Sequence, residues 1–144
     1  MNNGIKVVNG GVQPQKEVPT YDESVRFQAK LIGVWEQQQQ VLGYTKATIA
    51  LNLRNLNEIL DISEKFIWEL NASDMDLFYE KLVGKGLSYS TRRKYQSCIS
   101  AFLDFLQARH SKDIYEQYGV NVPNIIDKFN RHMHRKDDVD LPVL

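Results

Sequence analysis

The sequence predicts an all-α fold whose core is four helices in two antiparallel pairs, with one or two short C-terminal helices and a flexible N-terminal tail. Three observations carry that expectation. Apolar residues recur at spacings of three and four through four long segments, each segment opens near a Ser, Thr, Asn or Asp, and no strand pairing, repeat or heptad seam is evident. A chain of 144 residues with 42% hydrophobic content suits one domain with a real core.

Residues 1–20 hold Asn2, Asn3, Gly4, Asn9, Gly10, Gly11, Pro14 and Pro19, a turn-favouring composition that builds no packed face. Val7, Val8 and Val12 allow a short strand, but an isolated strand without a partner is marginal, so a flexible tail is expected. The first helix is expected to start after Asp22 or Ser24 and to reach about Leu42, with Phe27, Leu31, Val34, Trp35 and Leu42 on one face and Gly43 ending it. The four glutamines at 37–40 read as its solvated outer turn.

Thr45 is placed to cap a second helix, because its hydroxyl can accept from first-turn amides, and Ile49, Leu53, Leu56 and Leu60 follow as its inward stripe. Lys46, Thr48, Asn52, Arg54 and Asn55 are left on the other faces. A third helix opens at Asn71 or Ser73, where Ser73 and Asp76 have the spacing of a capping box, and its core face is Met75, Leu77 or Phe78, Tyr79 and Leu82. Gly84 and Gly86 stop it. Ser88 or Ser90 caps the fourth helix, whose stripe of Tyr95, Ile99, Phe102, Leu103 and Leu106 is the clearest periodic signal. Beyond His110 a short helix is expected from Lys112 to Tyr118, closed by Gly119, then another from Pro123 to about Arg135 and an extended segment over 137–144. The domain reading is a tail at 1–20, a helical unit at 21–136 and a separate extended segment at 137–144.

Eighteen bases balance eighteen acids, which alone argues against nucleic acid, but the charges are not evenly spread. Residues 58–80 carry seven acids, with Lys65 the only base. In residues 81–103 the sign reverses: Lys81, Lys85, Arg92, Arg93 and Lys94 occur without an acid, which makes that segment a candidate phosphate-facing surface. Cys98 is the single cysteine, so no internal disulfide can form, and its place in an apolar stripe reads as a small buried residue. No long apolar run and no signal-peptide order is present, so the expectation is a cytoplasmic protein with no membrane partner.

Several segments in order resemble the N-terminal core-binding, or SAM-like, domain of phage integrases and other tyrosine recombinases. Tyr44-Thr45-Lys46-Ala47-Thr48 resembles the opening of that domain's second helix, and the stretch from Trp68 to Phe78 resembles its acidic connector and third helix. Gly86-Leu87-Ser88-Tyr89-Ser90-Thr91-Arg92-Arg93-Lys94 resembles its basic turn, and Ser100-Ala101-Phe102-Leu103-Asp104-Phe105-Leu106 its closing helix. The match covers residues 33–110 and rests on the order of several weak motifs. It implies one jaw of a clamp on double-stranded DNA, with the second and fourth helices crossing the major groove and other recombinase protomers as partners on DNA. The contacts carried over are Thr45, Lys46 and Thr48 on the second helix and Ser90, Thr91, Arg92, Arg93 and Lys94 on the fourth; Asn52, from the polar face of the second helix, and Lys85, from the basic run, join them as expected DNA contacts. Residues 140–144 resemble the linker that precedes the family's catalytic domain.

Catalytic chemistry is not expected of this chain. His132-Met133-His134-Arg135 contains the H-x-x-R of the recombinase box, but no tyrosine follows it, and no domain-sized segment lies upstream to carry a first catalytic arginine. His132 and His134 stand two apart, which on a helix points them to different faces, so no metal site is expected. No phosphate-binding glycine motif occurs, and neither a cofactor nor a small-molecule substrate is expected. Tyr79, Tyr95, Phe102 and Phe105 read as core; Tyr44 and Tyr89, beside the basic residues, read as packing or backbone-contacting groups. The leading expectation is a DNA-binding half-clamp whose catalytic half lies elsewhere. The alternatives are a helical protein-interaction module, or a stand-alone DNA-binding accessory factor of recombination.

Overall fold

The computed structural model describes residues 5–8, 11–14 and 17–134. Its body is helical: α1 (Tyr21–Val41), α2 (Lys46–Ser63), α3 (Ala72–Gly84), α4 (Tyr89–Arg109) and a short α5 (Ser111–Tyr118). The fold is all-α, and its four long helices form the two antiparallel pairs expected. In the first pair Asn52 Nδ2 of α2 donates to Gln39 Oε1 of α1 at 2.7 Å. In the second, Tyr79 OH of α3 donates to Gln96 Oε1 of α4 at 2.6 Å, and Phe78 meets Tyr95 edge-on.

Caps set the helix starts, and three of the four long helices begin where an expected residue caps them. Thr45 accepts from the Thr48 amide at 3.1 Å, Asn71 from that of Asp74 at 3.0 Å, and Ser88 from that of Thr91 at 3.1 Å. The third-helix capping box is thus Asn71 with Asp74, not Ser73 with Asp76. α1 starts earlier than expected, because Thr20 caps it and Glu23 reaches back to the Thr20 amide at 2.8 Å. That amide, with the Thr20 hydroxyl, holds the Glu23 carboxyl below its ordinary pKa. α2 also runs past Leu60 to Ser63, and Glu64 ends it in the left-handed region at φ 56°.

The core draws on every helix. Leu31 and Trp35 of α1, Leu56 and Ile59 of α2, Met75, Phe78 and Leu82 of α3, and Ile99, Phe102 and Leu106 of α4 are buried. Trp35 packs on Phe102 at 5.0 Å between ring centroids. Leu77, left open as an alternative to Phe78, is exposed, and so is Leu42, because α1 turns its Gln39 inward at that end instead. The residues between α2 and α3 form a 3₁₀ turn, Ile67–Glu69, whose Trp68 stacks on Phe66 and on Tyr118 of α5.

Two expectations fail outside the four-helix core. First, the strand that Val7, Val8 and Val12 allow is not without a partner: Ile5–Val8 and Gly11–Pro14 pair as an antiparallel ribbon, β1 with β2, in register Val7 with Val12. The missed signal is Asn9-Gly10 between two valine-containing runs, the residue pair that a tight hairpin turn prefers. Second, among the described residues no helix follows Pro123. Ile125 and Ile126 enter the core from an irregular segment, and Asp127 Oδ1 then accepts the amides of Phe129 and Asn130 at 2.9 and 3.1 Å. That side-chain turn competes with helical backbone bonding. Arg135 and residues 137–144, with the linker expected there, lie outside the described residues.

Candidate nucleic-acid interface

α2 and α4 run past one another in opposite senses. The Cys98 thiol donates to the Asn52 carbonyl at 3.0 Å, and further along Tyr95 OH donates to Glu58 Oε1 at 2.8 Å. The caps at Thr45 and Ser88 therefore stand toward opposite ends of the pair, and the residues nominated for DNA separate into groups.

Asn52 of α2 and Arg93 and Lys94 of α4 line one groove, of about 600 Å³, between α2, α4 and the end of α1. Tyr44 lines this groove and also a neighbouring one that contains Lys46. Lys46, Thr48, Ser90 and Lys94 are exposed, while Thr45 and Thr91 are bound into caps, each sharing a hydroxyl contact three residues away. Ser90 is a first-turn residue, since the cap is Ser88.

Arg92 and Lys85 are turned to other work. Arg92 Nη1 donates to the Leu87 carbonyl at 2.8 Å, its Nε donates to His132 Nε2 at 3.2 Å, and its guanidinium lies over the Tyr89 ring. It anchors the final described segment to the start of α4. Lys85 Nζ stands 3.8 Å from Glu58 Oε2, an exposed and weak ion pair. The acids of 58–80 are partly spent inside the fold: Asp74 caps α3 and pairs with Lys65 at 3.0 Å, and Asp76 accepts from Asn130 at 3.0 Å.

His132 is packed, and not on a helix. Its ring stacks between Tyr79 and Tyr89, with centroids 4.0 and 4.6 Å away, and its backbone amide and carbonyl are both held by Gln96. Its Nδ1 lies 3.1 Å from the Asn130 carbonyl, so both ring nitrogens have a polar neighbour. Tyr89 belongs to the same stack, and its hydroxyl donates to the Met133 carbonyl. Burial raises the Tyr79 phenol well above its ordinary pKa, with the nearby Tyr89 adding to the effect.

The sequence reading missed three groove residues of consequence. Gln39, read as solvated, is 2% exposed, and Asn55, read as outward-facing, is 5% exposed. Arg109 closes the far end. The signal for Gln39 was present: it lies four residues after Trp35 and eight after Leu31, on the buried stripe of α1. Asn55 carried no comparable signal, because the α2 stripe of Ile49, Leu53, Leu56 and Leu60 fills without it. No protein-family model, no curated protein and no solved structure matches the chain.

Proposed function

We propose that this chain binds duplex DNA as one jaw of a recombinase-type clamp, with the catalytic chemistry supplied elsewhere. The observation that supports the reading is the convergence of Asn52 from α2 with Arg93 and Lys94 from α4 on one groove edge. Lysines and arginines on such a rim meet phosphate oxygens, and an asparagine beside them can meet a base edge. A face of this size neutralises few phosphates, so affinity is modest and falls steeply with salt.

Titration of duplex DNA across a salt series tests it. Replacing Arg93 and Lys94 together by Ala is expected to weaken binding across unrelated sequences and to flatten the log–log salt slope by about 1.8, which corresponds to two phosphate contacts. Arg92→Ala is expected to lower thermal stability and leave that slope unchanged, because its partners are Leu87, Tyr89 and His132. Absence of duplex binding at low salt would refute the reading.

A further inference from the structure

We infer that the groove between α1, α2 and α4 is a docking site for an extended, acidic and apolar segment of a partner protein, a role beyond the DNA contact on its rim. Three buried side-chain atoms lack a hydrogen-bond partner among the described residues: Gln39 Nε2, Asn55 Oδ1 and Arg93 Nε. All three belong to residues that line this one groove. An unpaired buried polar group forfeits its hydration without return, so three in one place mark the position of an absent polar ligand.

Their chemistry describes that ligand. Gln39 Oε1 is occupied by Asn52, which fixes Nε2 as the free donor, and Asn55 offers an acceptor. A donor and an acceptor in one groove complement one residue of an extended chain, whose N–H and carbonyl point to the same side: the carbonyl accepts from Gln39 Nε2 and the N–H donates to Asn55 Oδ1. Arg93 adds a charged donor with Lys94 beside it, which calls for a carboxylate at that end. Toward the other end the walls turn apolar, with Leu42, Tyr44 and Leu51 each more than two-fifths exposed. Asp104 and Arg109 both line that half, and their opposite charges offset each other there.

From Arg93 to Arg109 the groove follows about 24 Å of α4. That length takes about seven residues of extended chain at roughly 3.4 Å each. A concave, largely apolar channel with a few placed polar groups suits a peptide. A duplex resting on Arg93 and Lys94 would leave the floor empty, so peptide and DNA compete for the rim.

The probe is a displayed library of random heptapeptides panned against the full chain. Selected peptides are expected to pair one Asp or Glu with two or more apolar residues. Their synthetic forms should shift the Gln39 and Asn55 side-chain amide resonances and lose about tenfold or more in affinity on Arg93→Gln. Asn55→Leu removes a polar group that has no partner, so the protein should fold as before while peptide binding weakens. Selection of no such peptide overturns the inference, as does selection of peptides that bind both variants like the parent. Single-stranded oligonucleotides moving the same amides, where no peptide does, overturns it as well. Duplex titration of the parent chain separates the two readings: salt-dependent duplex binding with no peptide binding sinks this inference alone, and peptide binding with no duplex binding sinks the DNA reading alone.

Discussion

Arg92 and Arg93 are neighbours in sequence with opposite fates. A helix advances about 100° per residue, so one guanidinium reaches His132 and Leu87 while the next lines the α1–α2–α4 groove. Composition showed a basic cluster, but which cation is spent on packing depends on a segment some forty residues away. Cys98 makes the same point in reverse, since its burial was legible from the apolar stripe. Burial pushes its thiol up to about 12, and burial with the Glu58 hydrogen bond pushes the Tyr95 phenol up to about 12. Both groups are held protonated in the fold. Their contribution is complete below the pKa of the unfolded residues, about 8.5 for cysteine and about 10 for tyrosine, and is lost as pH rises toward about 12. The urea midpoint is therefore expected to hold steady near neutrality and to fall between about pH 9 and 12. Cys98→Ala should blunt the earlier part of that fall; a midpoint flat to pH 11 would contradict this account.

At the scale of elements, capping chemistry made the helix starts readable to within a few residues. The ambiguity between Ser88 and Ser90 was real in sequence, because both precede the same apolar stripe. Geometry resolves it: Ser88 has extended backbone and accepts the Thr91 amide, while Ser90 already lies within α4. Ser88→Ala is expected to cost about 1 kcal/mol in urea unfolding, and Ser90→Ala a few tenths at most. Equal costs would mean that the cap is placed wrongly. The segment after Pro123 misled because proline with following apolar residues reads as a helix start. Asp127 and Asn130 instead satisfy the local amides by side-chain turns, and the two isoleucines reach the core without helical periodicity.

In the whole molecule, that irregular segment closes the hydrophobic core. Ile114, Ile125 and Ile126 join the cluster built by the four long helices, and His132, locked by Tyr79, Tyr89, Arg92 and Gln96, fastens the strap at its end. Ile125→Ala, at a fully buried site, is expected to cost about 2–5 kcal/mol by urea denaturation. A cost below about 1 kcal/mol would show that the strap packs only loosely. By itself the sequence determined the all-α class, the two helix pairs and most of their core stripes, because these follow from local period, caps and glycine stops. Only the tertiary structure decided which polar residues meet. Gln39, Asn55 and Arg93 share one groove, and Arg92 leaves it, because contacts between distant segments depend on how helices cross and not on the spacing within any one of them.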